Sequence, residues 1–406
     1  MTVPAGVPYT RGMRPDPLSF LGDELSALKA QGLYRSLRIL EGEPLAHATF
    51  DHQSVVNLSS NNYLGLATHP RLRAAAIAAI ERYGVGSGAV RTIAGTMELH
   101  MELERRLAAF KHVEAVVVFQ SGFTANAGTV SSVLGKDDVI ISDALNHASI
   151  IDGARLSRAT IKVFPHKDVD AARQILRAIP PGPRKLVITD GVFSMDGDLG
   201  PVPELCAVAE EYGAIMMVDD AHASGVFGRH GSGTVDHFQC HGRVDIQVGT
   251  LSKAIGVLGG YVAGSRTLID FLYHRARPFL FSTSHPPAVA AACIAALDIL
   301  ETEPEWIERL WSNTRYLKDG LRHLGFNTGH SESPITPVIV GDASRAMTMS
   351  DRLFARGVFA QGIGFPTVAR DQARLRVMPM ATHTREDLQY ALEMFGVVGR
   401  ELGVIS

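Results

Sequence analysis

The chain has 406 residues and only three cysteines, Cys206, Cys240 and Cys293, odd in number and widely spaced. That scarcity excludes a disulfide framework and a cysteine-based zinc site, and it points to reduced thiols in a cytoplasmic setting. No metal ligand set is expected. No apolar run reaches the roughly 18 residues that a membrane-crossing helix needs, so no membrane partner is expected. The first 30 residues hold no uninterrupted apolar stretch of signal-peptide length, and no leader is expected. Net charge is scarce as well. A balance of −3 offers no long-range attraction to nucleic acid.

What the chain has in quantity is apolar residues, 46% of the total, enough for a sizeable core in two domains. Pro4, Gly6, Pro8, Gly12 and Pro15 predict a flexible arm over residues 1–16. Leu21, Leu25, Leu28 and Leu33 give the next segment helical spacing. Short Val/Ile/Ala runs then alternate with helical segments. Strands are predicted at 115–119, 139–141, 161–164, 185–189, 214–218, 244–248 and 260–263. Runs of this kind suit strands buried on both faces, as in a parallel sheet covered by helices. A smaller α/β region is predicted after Pro286-Pro287, with strands near 335–340 and 374–378. The expected division is an arm and helix over 1–55, a large domain over 56–290 and a small C-terminal domain over 291–406.

Ligands of open α/β sheets sit at the carboxyl ends of the strands, and polar residues end the apolar runs here. Ser121-Gly122-Phe123 follows one strand and opens a helix, a turn suited to phosphate. Asp219 ends another strand, where a buried carboxylate needs a partner. His222 lies three residues on. Lys253 follows a third strand, in Val-Gly-Thr-Leu-Ser-Lys-Ala-Ile-Gly over 248–256. A lysine for a Schiff base and an aspartate for a pyridine nitrogen are what pyridoxal 5'-phosphate (PLP) requires. Around them, Asn146-His147 could lay an imidazole on a ring, with Asn146 also suited to cap the next helix. Ser194 could donate to a ring hydroxyl, and Thr250 could reach the phosphate. Arg374 and Arg376 lie two apart on one strand face, and either could bind a carboxylate.

Nine runs carry a resemblance over residues 18–406. They are Ser-Asn-Asn-Tyr-Leu-Gly-Leu (60–66), Gly-Ser-Gly-Ala-Val-Arg (86–91), Gln-Ser-Gly-Phe-Thr-Ala-Asn (120–126), Asp-Ala-Leu-Asn-His-Ala-Ser-Ile-Ile-Asp-Gly (143–153), Gly-Val-Phe-Ser-Met-Asp-Gly-Asp (191–198), Val-Asp-Asp-Ala-His (218–222), Thr-Leu-Ser-Lys-Ala (250–254), Phe-Leu-Phe-Ser-Thr-Ser (279–284) and Arg-Leu-Arg (374–376). Together they resemble the α-oxoamine synthases, fold-type I PLP enzymes that join a small amino acid to an acyl-CoA. The resemblance implies a large, mostly parallel sheet domain with a smaller α/β domain. It makes Lys253 and His147 the catalytic residues, with Lys253 both cofactor anchor and proton acceptor and His147 stacked on the ring. Asp219 pairs with the ring nitrogen, and His222 and Ser194 approach the ring hydroxyl. Gly122, Phe123 and Thr250 hold the phosphate. Ser282 and Thr283 reach the phosphate of a neighbouring subunit, implying a homodimer with shared sites. Asn61 and Arg376 hold the substrate carboxylate, which favours Arg376 over Arg374. Within the family, residues 142–153 and the Leu-Gly-Val-Ile ending (402–405) are most similar to those of glycine C-acetyltransferases, while the run over 86–96 resembles members that accept several acyl-CoAs. Condensation of glycine with acetyl-CoA is therefore the expected reaction, and condensation of alanine with pimeloyl-CoA, or both activities, the alternative.

Overall fold

The computed structural model describes residues 16–30, 34 and 37–406. Residues 1–15 of the arm expected over 1–16, and the end of the first predicted helix, lie outside them. Residues 1–39 and 40–406 are separate compact units. The first unit contains the helix Phe20–Ala30, with Leu21, Leu25 and Leu28 along one side.

The second unit is built on a seven-stranded sheet. Its order is Ala115–Phe119, Gly260–Gly264, Ile246–Thr250, Ile215–Asp219, Lys185–Asp190, Val139–Asp143 and Thr160–Phe164. The α/β architecture expected from the apolar runs is present. Ala115–Phe119, Val139–Asp143, Ile246–Thr250 and Gly260–Gly264 are buried along their whole length. Helices cover both faces and bury separate clusters, one around Phe119, Ile140 and Met217, the other around Ile141, Val187 and Val218.

One strand departs from the parallel arrangement. Gly260–Gly264 runs antiparallel to both neighbours. Its link to Ile246–Thr250 covers only 251–259, and a parallel return needs a crossover of a dozen or more residues. The lysine lies in that short link. Parallel pairing joins Ile246–Thr250, Ile215–Asp219, Lys185–Asp190, Val139–Asp143 and Thr160–Phe164. Their carboxyl ends therefore gather at one edge.

Two smaller sheets complete the unit. Thr336–Gly341, Ala373–Val377 and Gln361–Ile363 form an antiparallel sheet with Ala373–Val377 in the centre. Gln53–Asn57 pairs with His47–Phe50 and, in parallel, with Val358–Phe359. The strands 47–50, 358–359 and 361–363 went unpredicted because they are short and carry little β-branched pattern. No helix among the described residues is long and apolar enough to cross a membrane.

Candidate active site

A cavity of about 190 Å³ opens at the carboxyl ends of the large sheet. Gly122, Phe123, His147, Ser194, Asp219, His222, Thr250 and Lys253 all line it. Residues spread over 132 positions of sequence thus converge because five strands end together. A larger cavity of about 840 Å³ includes Ile215, Ile246 and Gly264 in its wall. It lies at the opposite strand ends, away from Lys253.

The phosphate turn is built by local rules. Ser121 caps the helix Gly122–Val133, its Oγ accepting from Thr124 N at 3.1 Å. Ala125 N is the first amide to bond back, to Ser121 O at 3.0 Å. The amides of Gly122 and Phe123 therefore precede the first helical hydrogen bond, where an anion is favoured. A Cβ on Gly122 would point at Thr250, 3.5 Å from its Cβ. Glycine keeps this cradle open. Thr250 Oγ1 donates to Gly259 O at 2.8 Å and lies 2.7 Å from Ser252 Oγ. Ser252, which also lines the cavity, adds a second hydroxyl there.

Asp219 is buried but well supplied with donors. Asn126 Nδ2 donates to its Oδ2 at 2.6 Å, and Ala221 N to its Oδ1 at 2.8 Å. Asn126 was not singled out in the sequence. Its signal was available, because it lies one helical turn after Gly122 and so shares its face. Tyr63, in the Ser-Asn-Asn-Tyr run, was missed as well. Its Oη lies 2.8 Å from His222 Nδ1. Burial raises the Tyr63 phenol to about 12 and pushes the His222 imidazole well below its usual value. Both groups are therefore neutral, and a single proton lies between Oη and Nδ1.

Asn146 is not the helix cap. His147 caps Ala148–Ser157, its Nδ1 accepting from Ser149 N at 3.2 Å. Asn146 is buried instead between strands. It donates to Ser142 Oγ and Ile188 O, both at 2.9 Å, and accepts from Asp190 N at 2.8 Å. Asp190 Oδ2 accepts from His147 N at 2.9 Å, which fixes where the imidazole starts. Burial, reinforced by Asp219, raises the Asp190 carboxyl well above the usual range. His147 is held neutral, chiefly by burial.

Lys253 sits among these groups, and burial lowers its ammonium to about 8 despite the opposing field of Asp219. The two arginines of Ala373–Val377 share a face and differ in their partners. Arg374 Nη1 donates to Asp196 Oδ1 at 2.6 Å and to Met195 O at 3.1 Å. Arg376 Nε donates to Ser194 O at 2.5 Å and its Nη1 to Asn61 Oδ1 at 3.1 Å. These partners of Arg376, and the Tyr63 phenol that it also meets, are uncharged. Among the described residues no carboxylate lies within ion-pair distance of it. Ser282 and Thr283 do not line the cavity. Thr283 pairs with Val90, and its carbonyl accepts from Gln120 Nε2 at 2.6 Å.

These groups fit PLP: an amine for its aldehyde, a carboxylate for its ring nitrogen, and the Gly122 and Phe123 amides of a helix start for its phosphate. Comparison with known proteins agrees. Residues 53–395 match the family model of class I and II aminotransferases. An 8-amino-7-oxononanoate synthase of Symbiobacterium thermophilum is 60% identical over 95% of this chain and 99% of its own. One from Thermoanaerobacter pseudethanolicus is 56% identical over 96% and 98%. Among solved structures, a serine palmitoyltransferase of S. paucimobilis with PLP and myriocin bound superposes with a TM-score of 0.91. It is 34% identical and covers 96% of this chain and 100% of its own.

These findings overturn the expected glycine C-acetyltransferase activity, and with it glycine and acetyl-CoA as the expected pair. Relatives 54–60% identical over nearly the whole chain are named 8-amino-7-oxononanoate synthase. Residues 142–153 misled because they form a cofactor wall, the strand end and His147 cap, which does not report on the acyl group. The chain belongs to the α-oxoamine synthases, within the class I and II aminotransferase family, and its cofactor is PLP.

Proposed function

We propose that this enzyme condenses alanine with pimeloyl-CoA, releasing CoA and carbon dioxide and yielding 8-amino-7-oxononanoate. The observation that carries the amino-acid half is Arg376, buried beside the cavity with no carboxylate partner among the described residues. A buried guanidinium without a counter-ion is costly, and burial already lowers its proton affinity. A substrate carboxylate supplies the missing charge. The names of the 54–60% identical relatives support the acyl half.

When bound, PLP supplies an electron sink for the substrate Cα. Lys253 would anchor it, and its free amine would take up the Cα proton of alanine. An ammonium lowered to about 8 leaves a useful share of neutral amine near neutral pH. Asp219, steadied by Asn126, would hold the proton on the ring nitrogen. His147 would cover the cofactor and exclude water. His222, held by Tyr63 at Nδ1, would turn its Nε2 to the ring hydroxyl, beside Ser194. The amides of Gly122 and Phe123, with Thr250 and Ser252, hold the phosphate. Arg376 and Asn61 grip the alanine carboxylate until it leaves as carbon dioxide. Ser282 and Thr283, outside this chain's own cavity, reach the phosphate of a second copy in a homodimer. The three buried, free cysteines suit a reducing cytoplasm.

Product analysis tests the reading. PLP-loaded protein given alanine and pimeloyl-CoA is expected to release one CoA and one carbon dioxide per 8-amino-7-oxononanoate formed. CoA release without carbon dioxide would overturn it.

A further inference from the structure

We infer that His166 is a positioning residue for the substrate-carboxylate pocket: it clamps the turn 191–198, whose Ser194 carbonyl aims Arg376. The inference rests on Arg376 binding the carboxylate, as proposed above.

His166 follows the strand Thr160–Phe164 and lies outside the cofactor cavity. Its Nδ1 is 3.0 Å from Asp143 Oδ1, and its Nε2 is 2.9 Å from Asp198 Oδ2. Both neighbours are carboxylates that accept, so both ring nitrogens donate and the ring is an imidazolium. Asp143 is fixed from its own side, accepting from Leu145 N at 2.9 Å and Lys167 N at 2.8 Å. The clamp is therefore anchored on the large sheet and grips the turn.

It grips the turn at both ends. Asp198 is the last residue of the turn. Phe193, near its start, meets the His166 ring edge-on at 4.4 Å and 89°. Phe193 N donates to Asp198 O at 3.0 Å and Gly197 N to Phe193 O at 2.8 Å, closing the turn on itself. Ser194 is the next residue after Phe193, and its carbonyl accepts from Arg376 Nε at 2.5 Å. A rigid imidazolium thus fixes one of the groups that orient Arg376. The other charged groups at the clamp are Lys167, 3.2 Å from Asp198, and Glu332, 3.7 Å from Lys167. Lys167 also meets both carboxylates, Asp143 through its backbone N and Asp198 through a flexible ammonium, whereas His166 joins them through one rigid ring.

The test uses the full-length, PLP-loaded protein with His166→Gln, Asp198→Asn and Arg376→Ala. Alanine affinity is read from the change in the cofactor's visible band, beside kcat, Tm and hydrogen exchange of the 192–198 amides. The expected result for His166→Gln is alanine binding weakened by roughly tenfold or more, as misplacement from a distance can do. Exchange at 192–198 should speed up, with the cofactor band unchanged and kcat at saturating alanine altered less than the affinity. Asp198→Asn should move the same way, and it decides the matter if His166→Gln does not fold. Lower Tm with alanine affinity unchanged in the folded variants would make the clamp purely structural and overturn the inference. Arg376→Ala separates the two failures. If it leaves alanine affinity intact, the carboxylate assignment itself is wrong; if only the clamp variants do, the clamp alone is.

Discussion

The carboxyl edge of the seven-stranded sheet and the central strand of the three-stranded sheet both supply charged groups near Lys253, and they differ in how those charges are satisfied. On the large sheet Asp219 is already held by Asn126 and by the Ala221 amide. On the small sheet Arg374 is held by Asp196, while Arg376, two residues away, meets uncharged oxygens, those of a carbonyl, an amide and the Tyr63 phenol. Asp219 is braced to keep one orientation toward a resident group. Arg376 is left short of a counter-ion, as suits a group that meets a transient one. Identical residue types on one strand face can thus have different work, and the partner decides which.

Lys253→Ala breaks the large-sheet half of the comparison most severely. It should abolish the visible absorbance of the lysine-linked cofactor and cut turnover by at least roughly 10²- to 10⁴-fold. A persisting band would remove Lys253 from its role. Arg376→Ala addresses the other half. Losing a charge-assisted contact worth about 2 to 3 kcal/mol should raise the alanine KM by roughly 30- to 150-fold, with the cofactor band intact.

Arg374→Ala is the matched control. It should cost stability of about 1 to 3 kcal/mol through the lost Asp196 pair, while KM moves far less than for Arg376→Ala. Equal KM effects would erase the distinction between the two arginines. Gly122→Ala should leave Tm nearly unchanged, since the added Cβ meets Thr250 at an ordinary 3.5 Å. It should weaken PLP binding by about 1 to 3 kcal/mol by filling the cradle.

The smallest effect is with pH. Asp143 and Asp198 raise His166 to about 9 against burial, above its unfolded value near 6.5. The native state then binds the extra proton between those values. The stability it adds is fully present below about pH 6.5 and is lost as pH rises through about 9. In His166→Gln, Tm should fall less steeply across that window than in the wild type.

Much of the large-sheet site was legible in sequence. Gly122, Asp219 and Lys253 each follow a buried apolar run, and strand ends announce themselves by that change in polarity. The antiparallel direction of Gly260–Gly264 was written in the short 251–259 link but not read. The brace on Asp219 required knowing that the helix Gly122–Val133 packs with Asn126 toward the aspartate. Arg374 and Arg376 could not be told apart by period two, since both side chains share a face. Their partners come from the turn 191–198 and from Asn61, far away in sequence. The acyl group was the least legible part. The run that suggested acetyl-CoA builds the cofactor wall, so its similarity followed the shared cofactor and not the thioester.

The most direct measurement is CoA release by the PLP-loaded enzyme under steady state, with alanine and pimeloyl-CoA compared against glycine and acetyl-CoA. The account predicts a kcat/KM for pimeloyl-CoA with alanine well above that of the other pair, and its loss in Lys253→Ala. No CoA release from alanine and pimeloyl-CoA would contradict it.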